Sequence, residues 1–326
     1  MDAARLEAQL LAGPPAAGVL DVVERLLAVQ SQDLRAARLA VRSRTRGLAA
    51  SDVDRAFDDR SLVVTWLNRG TLHMVRAEDY PWLHALTAPR SVTGNLRRLG
   101  QEGVPPADAE RAVAEVVRAL GDEGPLTRDR LRDRLDAIGV RTAGQAIVHV
   151  LVRASLLGLI VRGPIVGGDQ AYVLVRDWLG EPPAVDRDAA LAELARRYLA
   201  GHGPADERDL ARWAGLGLRE ARAGLRASAG AFQPRDGGSA PPPRLLGGFD
   251  PVLFGWVDRT PLLGDNQGVV TLNGIFRPIA LVKGRAAATW TMPRGEVELA
   301  PFGRIAKADR DALAADADDV RRFLAN

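Results

Sequence analysis

No cysteine occurs anywhere in the chain. Disulfides, thiolate metal sites, iron–sulfur clusters and a cysteine nucleophile are therefore excluded together. Histidine is nearly as scarce: His73, His84, His149 and His202 are the only imidazoles, and no two stand at metal-ligand spacing on one helix. No metal and no cofactor is expected. Long apolar runs are missing too. None reaches about 18 residues, and the amino-terminal segment carries Asp2, Arg5 and Glu7 where a signal peptide would be basic and then apolar. The expected location is the cytoplasm, with no membrane partner. Lysine is almost absent: apart from Lys283 and Lys307, all of the 44 basic residues are arginine. Arginine forks suit phosphates and guanine edges, although a GC-rich genome writes the same Ala-, Arg-, Gly- and Pro-rich composition without any functional demand.

What is present is an ordinary globular composition, 47% hydrophobic over 326 residues, which is long enough for two or more domains. Leu20, Val23, Leu26 and Leu27 recur at helical spacing, so a helix ends near Val29. Gln30-Ser31-Gln32-Asp33 follows. In an extended segment the i, i+2 pair Gln30 and Gln32 points to one side, whereas on a continuing helix the two amides splay by roughly 200°. Paired amides offer both donors and acceptors and can hold one water in a fixed orientation, but they cannot take its proton strongly. Two readings stand: an ordinary helix cap, or a water-orienting pair.

Farther along, Leu62–Trp66 and Thr71–Val75 are β-rich runs joined by Asn68-Arg69-Gly70, which reads as a hairpin. A short helix after Ser51 and the helix through Leu34, Leu39 and Val41 precede it, and helices followed by a hairpin are the pattern of a winged helix-turn-helix. The pattern recurs in the helical runs Ala107–Leu120, Thr127–Leu135 and Ala143–Leu157, followed by strands Leu159–Val161 and Ala171–Val175 around a Gly163–Gly168 turn. A third copy starts at Ala189–Leu199. Its Gly203-Pro204 with Leu210 repeats Gly124-Pro125 with Leu131 at an offset of 79 residues. Leu218–Ala227 is its next helix, and Gly230–Pro243 reads as a loop in place of a wing. From Leu245 short β runs take over at Val252–Val257, Val269–Leu272, Ile279–Lys283 and Ala287–Met292, and Lys307–Leu324 closes the chain as a helix. The expected fold is α+β: tandem winged helix-turn-helix modules at 1–100, 105–180 and 186–236, then a small C-terminal β-barrel-like domain with a terminal helix at 244–326.

The Gln-x-Gln motif and the segment Trp66-Leu67-Asn68-Arg69-Gly70-Thr71-Leu72-His73 together resemble the AlkZ and YcaQ-like family of winged-helix DNA glycosylases. The resemblance continues through Gly203-Pro204, Phe249-Asp250-Pro251 with Asp258-Arg259, Gly274-Ile275-Phe276-Arg277-Pro278, Gly284-Arg285 and Thr289-Trp290, and so covers nearly the whole chain. It implies a monofunctional glycosylase acting on duplex DNA that carries bulky N7-alkylpurine adducts, interstrand crosslinks among them, and often protecting a producer of a DNA-alkylating natural product. It also implies that Gln30 and Gln32 are the catalytic pair. The family's other subtype has an acid at the position of Gln32.

Around that pair the reading stays divided. Asp33 either caps the helix that starts at Leu34 or supplies negative charge to the reacting sugar. Arg69 at the hairpin turn meets either phosphate or solvent, with Thr71 beside it. His73 is either a satisfied structural histidine or a cleft residue, while Trp66 and Met74 belong to the core. Lys283-Gly284-Arg285 is a basic turn suited to a DNA groove, and Arg277 either contacts the DNA backbone or pairs with Asp250 or Asp258. A monomer is the expected state. A non-catalytic winged-helix regulator or a protein-binding scaffold are the rival classes, the first favoured by a buried Gln pair and the second by the lack of a basic cleft.

Overall fold

The computed structural model describes residues 1–229, 241–271 and 273–325. Two compact units divide the chain, one formed by Met1–Val53 with Leu191–Asn326 and the other by Asp54–Ala190. Among the described residues no helix is long and apolar enough to cross a membrane.

In the unit of 54–190, the strands Leu62–Leu67 and Thr71–Arg76 pair antiparallel with Thr65 opposite His73, as the β-branched content and the Asn-Arg-Gly turn require. A second hairpin, Ile160–Val166 with Asp169–Leu174, joins the first through Val64 and Arg162. The expected helices are found at Pro106–Glu123, Arg128–Ala137 and Ala146–Leu156, and the Thr127 side chain accepts the Arg130 N–H at the start of the second.

Two features of this unit differ from expectation. The turn expected over Gly163–Gly168 is confined to Gly167-Gly168, both at positive φ; Gly163 lies within the strand, where a Cβ would stand 3.1 Å from Val173 and 3.2 Å from Trp178. Helices Tyr80–Thr87 and Pro89–Gln101 were not legible in the pattern. Their prolines occupy the first turn, where a missing N–H breaks no hydrogen bond and the fixed φ favours helix.

In the other unit, helices Glu207–Ala214 and Leu218–Ala227 follow Arg187–His202 in the order the repeat suggested. The loop expected at 230–243 falls largely outside the described residues. The C-terminal part is not a barrel. Four strands, Arg244–Leu246, Ile279–Val282, Arg285–Thr291 and Glu298–Pro301, form an open antiparallel sheet in that order. Closure fails because the run Val252–Val257 does not extend: the Asp250 carboxylate accepts the Val252 N–H at 3.0 Å, and Pro251 starts a 3-10 turn there. The expected strand at 269–272 is likewise replaced by a 3-10 turn, Gln267–Val269, with Leu272 outside the described residues. The terminal helix, Lys307–Ala325, buries Leu313, Val320 and Phe323.

A buried ion pair fastens this unit. Arg44 and Asp250 are both fully buried, with guanidinium to carboxylate distances of 2.9 and 2.8 Å. The remaining Arg44 donors reach Gln9, Ala40 and Ser43. Arg42, two residues earlier, binds Asp316 and Asp319 of the terminal helix and the Leu245 carbonyl. Helix Leu34–Arg42 is thereby held at its carboxyl end by the sheet and by the last helix.

Breaking a buried pair leaves an uncompensated charge, so Asp250→Ala should destabilise the protein by about 3–5 kcal/mol. Arg134→Ala, which removes an exposed pair with Glu123, should hardly move the transition. Urea melts of both variants check this, and equal midpoints would contradict it.

Candidate active site

Helix Val19–Leu26 ends in a backbone feature that helical periodicity does not encode. Leu27 adopts φ 64 and ψ −46, and the Ala28 N–H donates to the Leu26 carbonyl at 2.8 Å, closing a γ-turn with positive φ. Such a turn is strained for a residue with a β-carbon, and Leu27 holds it because its side chain is fully buried. The chain leaves the turn as the extended pair Val29–Gln30. Gln30 and Gln32 consequently point to one side, and Gln30 Nε2 donates to Gln32 Oε1 at 2.9 Å.

The two amides differ in environment. Gln30 is 6% exposed, and its Oε1 is buried without a hydrogen-bond partner among the described residues. Gln32 is exposed. The pair uses one donor and one acceptor on itself, which leaves Gln30 Oε1 as a buried acceptor and Gln32 as the outward amide. Asp33 is the helix cap: its carboxylate accepts the Arg35 N–H at 2.9 Å from an exposed position.

Arg35, the second residue of the capped helix, donates to Met292 Sδ at 2.8 Å. Met292 opens a hairpin between Arg285–Thr291 and Glu298–Pro301 whose tip is Pro293-Arg294-Gly295, with Arg294 exposed at φ 53. Sequence reasoning missed this hairpin. Its second strand, Glu-Leu-Ala-Pro, has weak β propensity and ends in proline, as an edge strand tolerates. The Pro-Arg-Gly turn was the available signal.

The turn at Lys283-Gly284 is a two-residue turn with positive φ at both positions, 50 and 75. Gly284 is buried under the amino-terminal segment: its carbonyl accepts from the Met1 amine at 3.0 Å, and a Cβ would stand 2.8 Å from Leu6. Only the Lys283 and Arg285 side chains face outward, with Lys283 Nζ 3.8 Å from Asp309. Arg277 is exposed and pairs with neither expected carboxylate, since Asp250 is held by Arg44 and Asp258 accepts the Thr260 N–H.

In the unit of 54–190, Arg69 is exposed at the hairpin turn and Thr71 begins the second strand. His73 is 3% exposed, its Nδ1 lies 2.9 Å from the Thr71 carbonyl, and burial, assisted by the Arg69 charge, pushes its pKa down to about 3. Trp66 and Met74 are buried on the opposite face, as expected.

A family model described as DNA glycosylase AlkZ-like matches residues 23–323. A Streptomyces sahachiroi protein named interstrand DNA cross-link repair glycosylase is 28% identical, over 98% of this chain and 94% of its own length. The solved structure of Streptomyces sahachiroi DNA glycosylase AlkZ is similar with a TM-score of 0.77 at 26% identity, over 98% of this chain and 95% of that one.

The state of His73 can be measured. The folded protein keeps it neutral down to about pH 3, whereas the unfolded chain protonates it near the ordinary value of 6.5. Its contribution to stability is therefore complete above pH 6.5 and is lost as pH falls toward 3. Nitrogen-15 spectra of the imidazole should show the hydrogen on Nδ1 and no titration between pH 8 and 4. A midpoint near 6.5 would contradict the burial.

Proposed function

Because the chain belongs to the AlkZ-like DNA glycosylase family, we propose that it hydrolyses the N-glycosidic bond of bulky N7-alkylated purines in duplex DNA, with Gln30 and Gln32 orienting the attacking water. The observation that carries this reading is the amide pair, bonded to itself at 2.9 Å while Gln30 Oε1 stays buried and unmet. Alkylation at N7 makes the base cationic and already a good leaving group. The protein then has to place water beside C1′ and favour positive charge on the sugar, and neither task requires a strong base. Asp33, which caps the helix directly after the motif, is assigned to the second. Interstrand crosslinks are included in the proposed substrates because the relative from Streptomyces sahachiroi is named for their repair, and self-resistance to a DNA-alkylating natural product is the role that fits such a substrate. A buried Gln pair would favour a non-catalytic regulator; Gln30 is buried, whereas Gln32 reaches solvent.

Tandem winged helix-turn-helix modules remain our reading of the helices and hairpins. DNA contact is assigned to Arg69, Thr71, His73, Arg277, Lys283 and Arg285, and Arg294 joins them. The Arg294 hairpin is tied by Met292 to the helix that begins immediately after the Gln motif, which favours it as the element entering the minor groove. Arg294→Ala should weaken duplex binding and reduce the log–log salt slope by about one. An unchanged slope would remove Arg294 from the interface.

Loss of one preorganised hydrogen-bonding group costs roughly 10- to 1000-fold in rate. Gln32→Ala should slow base release by that amount with DNA affinity nearly unchanged, while Gln32→Asp should retain activity, as the acid subtype suggests. The wild-type rate should be flat with pH near neutrality because no titrating base takes part. Single-turnover excision from a duplex with one N7-alkylguanine measures all three. Undiminished rates in Gln30→Ala and Gln32→Ala would reduce the motif to a helix cap.

A further inference from the structure

A helix continuing past Leu26 would give the N–H groups of Ala28, Val29 and Gln30 to the carbonyls of Glu24, Arg25 and Leu26. Each of those carbonyls meets something else. Arg197 Nη2 donates to the Glu24 carbonyl at 2.8 Å. The Arg25 carbonyl faces Gly201 so closely that a Cβ there would overlap its oxygen, well inside the 3.0 Å that real contacts keep, and would stand 3.4 Å from Leu26 Cα. The Leu26 carbonyl accepts the Ala28 N–H within the Leu27 turn. Arg197 and Gly201 both belong to helix Arg187–His202, and both lie in the unit that carries the Gln motif.

Glycine weakens a helix, and a close approach of another backbone is what it permits there. At Gly201 the approach is backbone to backbone. A helix carbonyl cannot swing aside as a flexible side chain can, so a methyl at 201 would push the end of helix Val19–Leu26 away by about 1 Å before ordinary contact was restored. Gly201 is also held from behind. It is buried, its carbonyl accepts Gln9 Nε2 at 2.5 Å, and the Gln9 carbonyl in turn accepts Arg44 Nε at 2.8 Å. The buried pair of Arg44 and Asp250 therefore backs the surface on which that helix ends. Only Leu26 to Val29 separate Arg25 from Gln30, and Leu27 already sits in a strained turn. A displacement at Arg25 is passed on to the amides.

We propose that Gly201 is a positioning residue for base excision: together with Arg197 it ends helix Val19–Leu26 where it does, and so sets where Gln30 and Gln32 stand. This role rests on the Gln pair being catalytic and adds what places the pair. Gly201 acts through the Arg25 carbonyl and not on the reacting groups.

The test compares Gly201→Ala with Gly224→Ala in the full chain. Gly224, on helix Leu218–Ala227, meets the Leu191 carbonyl in a similar way, a Cβ there standing 2.6 Å from its oxygen. Both methyls overpack a helix contact and should lower the melting temperature, but only the first presses on the segment that leads to the motif. Selective nitrogen-15 glutamine labelling reads the Gln30 side-chain amide, assigned by its loss in Gln30→Glu. Gly201→Ala should move that resonance and speed its hydrogen exchange, while Gly224→Ala should leave it in place. Single-turnover excision from a duplex with one N7-methylguanine, at saturating protein, should fall about 100-fold in Gly201→Ala, the cost of a misplacement of about 1 Å. Affinity for the duplex should stay the same, and Gly224→Ala should keep the rate. Arg197→Met frees the Glu24 carbonyl without adding bulk and should move the resonance in the same direction, so the test stands even where Gly201→Ala does not fold. An unmoved Gln30 amide in these variants overturns the proposal, as does an equal movement in Gly224→Ala. A moved amide with an undiminished rate would keep the placing of the pair by Gly201 and reject the catalytic reading of the pair instead.

Discussion

The buried pair between Arg44 and Asp250 is the constraint on which the unit carrying the Gln motif depends. Full burial on both sides makes it costly to break, and its bidentate geometry ties the end of helix Leu34–Arg42 to the segment that leads into the C-terminal sheet. The Asp250 carboxylate also caps the turn at Val252, so the same charge that fixes Arg44 bends the chain out of a strand. With Arg42 holding the terminal helix, the motif helix cannot tilt without disturbing both neighbours. Gln30 and Gln32 stand at the other end of that immobilised rod. Preorganisation of this kind is what an amide pair needs, because amides act by position and not by proton affinity.

The motif is fixed from its amino-terminal side by strain. Leu27 is held in a left-handed turn by burial, and the chain emerges extended with both amides on one side. A helix running on through Gln30 would have separated them. Asp33 then restarts helix within three residues of Gln30. The sequence of strained turn, two extended residues and capped helix forces two neutral side chains into contact and leaves an acceptor buried beside them.

Arginine serves different ends in different places. Many arginines lie in exposed i, i+3 or i, i+4 pairs such as Arg118 with Glu115 and Asp122, which add little stability. A few are structural anchors, Arg42 and Arg44 above all. Others, including Arg277 and Arg294, are exposed and carry charge outward. Composition alone could not separate these roles, since a GC-rich genome and a DNA interface write the same residue.

The sequence by itself determined the local elements and the family. Helical spacing and the Asn-Arg-Gly turn place most helices and the first hairpin correctly, because those signals act within a few residues. The order of short motifs identified the glycosylase family, and the i, i+2 spacing of Gln30 and Gln32 carried the possibility of contact. Tertiary structure alone decided the rest. Whether Gln30 and Gln32 meet depends on Leu27, whose left-handed turn is stable only inside a packed core. Whether the C-terminal runs close into a barrel depends on Asp250, whose partner lies 206 residues away at Arg44. The basic turn at Lys283-Gly284-Arg285 is seated under Met1 and Leu6, and the Arg294 hairpin pairs through a strand too weak to announce itself. Those outcomes are set by long-range burial and charge compensation, which periodicity and propensity do not contain.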